Sequence, residues 1–119
     1  MGAFKVRFKV CWRNCVEVEG IVNTGATYAK IPRKILESIG IRPIEKRRFE
    51  IGDGRIIERD VGYAIIKVNV NGKEKTCACM VVFGKDDETP LLGATTLEEL
   101  GLAVDPIRKK LVEITLLEI

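Results

Sequence analysis

The chain has 119 residues, of which 46% are hydrophobic and 31% are charged, so residues 1–119 are expected to form one globular domain. Its 20 basic and 17 acidic residues leave a net charge of +3, which does not indicate a nucleic-acid-binding protein. No apolar run approaches the roughly 18 residues of a membrane span. Charged residues near the N-terminus argue against a signal peptide, so we expect a cytoplasmic protein without membrane contact.

The first half of the chain has the pattern of β-strands. Residues 4–10 alternate between apolar and basic side chains, which is the period of a half-buried strand. A second strand is predicted over residues 16–22, after a short connection. A proline at its start and a glycine just past its end then mark a short helix over residues 33–39.

Two glycine-containing turns in the middle of the chain predict β-hairpins. One turn joins residues 48–51 to 55–57, and the other joins residues 61–70 to 73–83. A second short helix is predicted over residues 95–100, and the tail from residue 111 to 119 is apolar and strand-like. Many strands with two short helices predict an all-β fold, most simply a small closed barrel or a sandwich.

The cysteines and the absence of histidine limit the possible chemistry. The chain has no histidine, which excludes Ser–His and Cys–His catalytic pairs and every histidine-based metal site. Cys77 and Cys79 lie in an apolar strand, where we expect buried thiols that act as small hydrophobic groups. The alternative is a structural zinc site that also uses Cys11 and Cys15, although their spacing departs from Cys-x2-Cys. We expect no metal and no cofactor.

Three segments, taken together, point to one protein family. Residues 21–27 read Ile-Val-Asn-Thr-Gly-Ala-Thr, residues 51–55 read Ile-Gly-Asp-Gly-Arg, and residues 90–93 read Pro-Leu-Leu-Gly. Each segment alone is compatible with an ordinary turn, hairpin or core strand. In this order they resemble the retropepsin-type aspartic proteases, whose chains form a single lobe and assemble as homodimers.

The resemblance implies a barrel of the acid-protease type and a role for each segment. A hairpin flap would close over an extended peptide, and residues 4–10 and 116–119 are candidates for strands shared between the two subunits. The implied residues are Asn23, Thr24 and Gly25 in the catalytic loop, Ala26, Ile51, Gly52, Asp53 and Gly54 in substrate binding, and Leu91, Leu92 and Gly93 as support beneath the loop.

Asn23 stands where this family has its catalytic aspartate. Aspartic proteases use two carboxylates that share one proton, and a carboxamide has no acidic proton to share. We therefore expect an aspartic endopeptidase that is inactive as written. The alternative is a natural, non-catalytic dimeric module that binds peptides or acts as a scaffold. The intact surroundings of Asn23 favour a deliberate inactivation, and the sequence leaves both explanations open.

Overall fold

The computed structural model describes residues 4–118. Neither helix in this range is long and apolar enough to cross a membrane. The elements in chain order are β1 (Phe4–Cys11), β2 (Cys15–Val22), β3 (Ala29–Pro32), α1 (Arg33–Ser38), β4 (Glu45–Glu50), β5 (Ile56–Val70), β6 (Lys73–Gly84), β7 (Leu91–Leu92), α2 (Ala94–Leu100), β8 (Leu102–Asp105) and β9 (Lys110–Glu113).

Six of these strands close into a ring. The hydrogen-bonded order runs from β1 through β2, β7, β3 and β6 to β5, and β5 pairs again with β1 at Val10 and Ile66. Strand β4 extends the sheet from the outer edge of β5, while β8 and β9 form a separate two-stranded sheet. The predicted all-β fold with two short helices is confirmed, and its barrel takes the form of this ring.

The core lies inside the ring and is closed by the helices. Alternate residues of β1 point inward, so that Phe8 and Val10 are buried while Lys9 between them remains exposed. Leu36 of α1 and Leu97 of α2 pack onto the same core. Full burial of each such side chain contributes about 1.5–3 kcal/mol, so both helices are held mainly by their apolar side chains.

Several strands differ from the sequence prediction. Strands β3, β7 and β8 are only two to four residues long and were not predicted, because so few residues show no clear period. Strand β5 continues through residues 58–60, which lie between two strands predicted separately, 55–57 and 61–70. The tail is a strand only from Lys110 to Glu113, and residues 114–118 have no regular structure. Ile119, the end of the predicted strand, lies outside the described residues.

The cysteines occupy two different environments. Cys11 and Cys15 form a disulfide across the turn between β1 and β2, which the sequence analysis did not predict. Cys77 and Cys79 are free and buried, as expected for thiols that act as small hydrophobic groups. The disulfide removes two ligands from the alternative four-cysteine zinc site, because sulfurs joined to each other are not available as thiolates.

Candidate active site

The segment that carries Asn23 forms a tight turn between β2 and β3, and we call residues 23–28 the asparagine loop. The Asn23 side-chain oxygen Oδ1 accepts a hydrogen bond from the backbone N–H of Gly25, at 2.9 Å. The backbone N–H of Ala26 donates to the carbonyl of Asn23, at 3.1 Å. An aspartate has an oxygen at the same place as Oδ1, so this turn is compatible with either residue.

Strand β7 supports the start of the asparagine loop. It inserts between β2 and β3, pairing in parallel with β2 at Ile21 and Leu91 and antiparallel with β3 at Lys30 and Leu91. The carbonyl of Leu92, whose side chain is fully buried, accepts a hydrogen bond from the Asn23 N–H at 3.0 Å. The position of the Asn23 backbone is therefore fixed by a core strand.

Gly93 brings the start of α2 against the loop. The N–H groups of Ala94 and Thr95 donate to the carbonyls of Ala26 and Thr27, at 2.8 and 2.9 Å. A Cβ atom on Gly93 would lie 2.5, 2.7 and 2.8 Å from three carbonyl oxygens of the asparagine loop. Glycine is required here for close approach, because no side chain fits between the helix and the loop.

The end of the loop is held by a buried side chain of α2. Thr96 is only 1% exposed, and its Oγ1 accepts a hydrogen bond from the Ala29 N–H at 3.1 Å. This bond satisfies a buried backbone donor that would otherwise cost about 1–3 kcal/mol to leave unpaired. Backbone and side-chain contacts of β7 and α2 thus hold the loop at both ends.

A hairpin formed by β4 and the first part of β5 lies beside the loop, and we call residues 45–61 the cleft hairpin. Its strands end at the Glu50–Ile56 pair, and the Ile51 N–H donates to the carbonyl of Arg55 at 2.9 Å. Gly54 has a φ of +88°, a conformation that favours glycine. The hairpin predicted from the Asp53-Gly54 turn is therefore present.

A cleft of about 750 Å³ separates the asparagine loop from the cleft hairpin. Of the residues singled out from the sequence, those on its wall are Asn23, Gly25, Ala26, Ile51, Gly52 and Leu91. The others lie off the wall: Thr24, Asp53 and Gly54 are exposed, whereas Leu92 and Gly93 are buried beneath the loop.

An aromatic contact joins the cleft hairpin to the loop. The rings of Tyr28 and Phe49 meet edge to face with centroids 6.1 Å apart. Arg47 Nη1 donates to the Tyr28 hydroxyl at 2.5 Å, and its guanidinium lies 5.8 Å from the centre of the same ring. Sequence reasoning missed these residues, because Arg47 and Tyr28 are 19 residues apart and meet only in the folded chain.

Three charged side chains on the cleft wall form what we call the cleft ion cluster: Lys30, Arg59 and Glu88. Arg59 Nη1 and Nη2 donate to the two carboxylate oxygens of Glu88 at 2.8 and 3.3 Å, and Lys30 Nζ donates to Oε2 at 3.1 Å. The hydrogen bonds from Arg59, followed by those from the Lys85 N–H and Lys30, lower the pKa of Glu88 to about 2.

The buried thiols offer one possible set of metal ligands among residues 4–118. Atoms of Cys77, Cys79 and Glu99 lie within 4.8 Å of one another. A hydrogen bond with Cys77 and then burial raise the pKa of the Cys79 thiol well above its usual range. Since metals bind the thiolate, these two effects disfavour Cys79 as a metal ligand.

A second concavity, of about 590 Å³, lies along β1. None of the predicted site residues lines it. Five lysines and Arg7 lie on its wall together with Glu17 and Glu74, and Lys9 Nζ lies 3.9 Å from a carboxylate oxygen of Glu74. Six cations against two carboxylates leave this wall positively charged.

Comparisons with known proteins identify the fold. No protein-family model and no curated protein matches the chain. The retroviral protease-like domain of Ddi1 from Leishmania major superposes with a TM-score of 0.56 at 15% identity, covering 94% of this chain and 90% of that chain. EIAV protease, complexed with the inhibitor HBY-793, gives a TM-score of 0.53 at 17% identity, covering 84% and 89%. The chain therefore has the fold of retropepsin-like aspartic protease domains.

Proposed function

We propose that this chain is an aspartic endopeptidase of the homodimeric, retropepsin kind, and that Asn23 at the catalytic position keeps it inactive. The observation that carries the proposal is the Asn-Thr-Gly turn at residues 23–25. It is held by β7 and α2, and its Asn23 and Gly25 lie on the wall of a cleft large enough for an extended peptide. The retropepsin-like fold supports the same function.

A homodimer is part of the proposal because one chain supplies only one such turn. No aspartate elsewhere in the sequence is followed by Thr-Gly, so a second turn has to come from a second copy, related by a two-fold axis. Ile114, Leu116 and Leu117 are 38%, 60% and 95% exposed in the irregular tail. Burial of this apolar segment against a partner would remove it from water, which supports its role as a shared strand.

The chemistry follows from placing an aspartate at position 23 in both copies. Two carboxylates a few ångströms apart cannot both ionise, so they hold one proton between them. The ionised carboxylate removes a proton from water as it attacks the peptide carbonyl, and the protonated one donates to the carbonyl oxygen. Two asparagines retain the shape of this pair but have neither the base nor the acid.

The substrate in this proposal is an extended peptide that lies in the cleft. The tip of the cleft hairpin, at Gly52, Asp53 and Gly54, would act as the flap and contact the peptide backbone, while Ala26 and Ile51 contact its side chains. Closure of the hairpin would exclude water from the cleft. No metal or cofactor takes part.

The second candidate function is a dimeric module that binds peptides without cleaving them. Asn23 itself favours this candidate, because the cleft and the loop support are present while the ionisable group is absent. Both candidates predict peptide binding, and they differ in the effect of restoring an aspartate at position 23.

The test is a peptide-library cleavage assay from acid to neutral pH on the parent chain and on Asn23→Asp. Asn71→Asp is the matched control, since it makes the same change in an exposed turn remote in sequence from the asparagine loop. We expect cleavage by Asn23→Asp alone, inhibited by pepstatin-type transition-state mimics. Cleavage by the parent would contradict the inactivation by Asn23. No cleavage by a folded, dimeric Asn23→Asp would favour the binding module.

We keep the expected cytoplasmic location as part of the proposal. The bond between Cys11 and Cys15 argues for an oxidising compartment, because disulfides are rare in the cytosol. Alkylation of thiols at the moment of cell lysis, followed by mass spectrometry, distinguishes a cytoplasmic location from an oxidising compartment. A fully reduced pair is expected in the cytoplasm, and a fully oxidised pair would contradict that location.

A further inference from the structure

The cleft ion cluster has more hydrogen-bond donors than its own partners use, and this inference rests on the proposed peptide-binding function. Its members come from three parts of the chain: Lys30 from β3, Arg59 from β5, and Glu88 from the loop before β7. Their side chains are 29%, 18% and 25% exposed, so all three are partly buried in the wall of the cleft. Charges held in this way are screened less by salt than exposed ones.

Glu88 has little capacity left for a ligand. Its two oxygens accept four hydrogen bonds: two from Arg59, one from Lys30 and one from the Lys85 N–H. A carboxylate has about four lone-pair sites, so these bonds occupy the acceptor capacity of the cluster.

The two cations retain unused donors. Among residues 4–118, Lys30 makes one side-chain hydrogen bond and Arg59 makes two, all to Glu88. An ammonium group has three N–H donors and a guanidinium has five. The cluster can therefore provide hydrogen-bond donors and positive charge to a group that binds in the cleft.

The other charged residues of the cleft do not reverse this charge. Arg48 and Glu50 also line it, and both are exposed. With the cluster, the wall carries three cations and two carboxylates, and one of those carboxylates, Glu88, is already paired with two cations.

We propose that this part of the cleft selects an acidic side chain, aspartate or glutamate, in the bound peptide. The carboxylate would accept hydrogen bonds from Lys30 Nζ and from the Arg59 guanidinium, and a lysine at the same position of the peptide would be repelled. Lys30 and Arg59 are then specificity-determining residues.

A purely structural role for the cluster makes a different prediction. In that case its ion pairs only tie residues 85–90 to the barrel, and removing one cation changes stability or all peptide affinities alike. A specificity role changes the ratio of affinities for two peptides that differ only in charge, which stability alone does not alter.

The experiment measures binding of fluorescent octapeptides to the full chain, with Asn23 in place so that no peptide is cleaved. Each peptide has an apolar background and carries Glu, Gln or Lys at one scanned position. We expect at least one position at which Glu binds about tenfold more tightly than Gln, as for a charge-assisted hydrogen bond, and Lys more weakly than both.

Lys30→Met is the test variant, because it removes the charge and leaves Glu88 paired with Arg59. Lys46→Met is the matched control: Lys46 also pairs with a carboxylate, Asp60, that retains an arginine partner, and it does not line this cleft. We expect Lys30→Met to abolish most of the Glu-over-Gln preference and Lys46→Met to leave it unchanged. Circular dichroism and thermal melting confirm that both variants are folded.

Three outcomes would overturn the inference. Peptides that bind with equal affinity whether they carry Glu or Gln would refute the acidic preference while leaving the proposed function intact. An equal loss of affinity for every peptide in Lys30→Met would assign the cluster a structural role. Binding of no peptide, together with no cleavage by Asn23→Asp, would refute the proposed function and this inference with it.

Discussion

Replacement of Gly93 by alanine tests the support of the asparagine loop. The new Cβ atom would lie 2.5–2.8 Å from three loop carbonyl oxygens, closer than such contacts are found in real structures. The opposing atoms belong to the backbone, so no change of rotamer relieves the overlap. The loop or the start of α2 has to move.

The expected cost has two parts. Overpacking of a tight contact costs about 1–3 kcal/mol. Movement of α2 from the loop also weakens the hydrogen bonds from Ala94 and Thr95 to the loop, each worth about 1 kcal/mol. We therefore expect Gly93→Ala to lower the free energy of unfolding by about 3–5 kcal/mol, a large fraction of the stability of a single domain.

Urea unfolding followed by circular dichroism, at one fixed protein concentration, measures this loss. Gly52→Ala is the matched control, because a Cβ there has no atom within 4 Å. We expect the control to change stability by less than about 0.5 kcal/mol, as for other exposed positions. A loss in Gly93→Ala no larger than in Gly52→Ala would refute the account of the loop support.

Three further predictions concern stability. The pKa of Glu88 is about 2, below its usual 4.5. The stabilisation that the ionised Glu88 gives to the folded state is therefore fully present above about pH 4.5 and is lost as the pH falls through 2. The stability difference between parent and Glu88→Gln, up to about 3 kcal/mol at neutral pH, should therefore vanish on acidification, and a difference independent of pH would contradict this cause. Thr96→Val should cost about 1–3 kcal/mol by leaving a buried N–H unpaired, and an equal effect of Thr95→Val, whose side chain is only partly buried, would contradict it. Replacement of Cys11 and Cys15 by serine should lower the free energy of unfolding by about 2 kcal/mol in urea titrations. A parent whose urea midpoint does not change on reduction of the disulfide would contradict this.

Local signals in the sequence were sufficient for much of the fold. Asn71 and Gly72 have φ values of +54° and +82°, which these two residues tolerate better than others, and they turn the hairpin between β5 and β6. Gly101 ends α2 in the left-handed conformation. Such features depend on a few adjacent residues, and for that reason they were predicted at the right places.

Contacts between distant parts of the chain were not predictable in the same way. Thr96 and Ala29 are 67 residues apart, and Arg59 and Glu88 are 29 apart. Their pairing depends on how the ring of strands closes, which no local period encodes. The asparagine loop and the hairpin tip were therefore found from the sequence, whereas Tyr28 and the cleft ion cluster, which line the same cleft, were missed.

The central claim is that two copies of the chain bring their asparagine loops together to form one site. Thr24→Cys tests it directly, since Thr24 is exposed at the loop, while the native cysteines are disulfide-bonded or buried. With a short bis-maleimide, we predict a covalent dimer for Thr24→Cys and none for Asn71→Cys, which places the thiol in the exposed turn between β5 and β6. A chain that sediments as a dimer but does not crosslink at position 24 would contradict the claim.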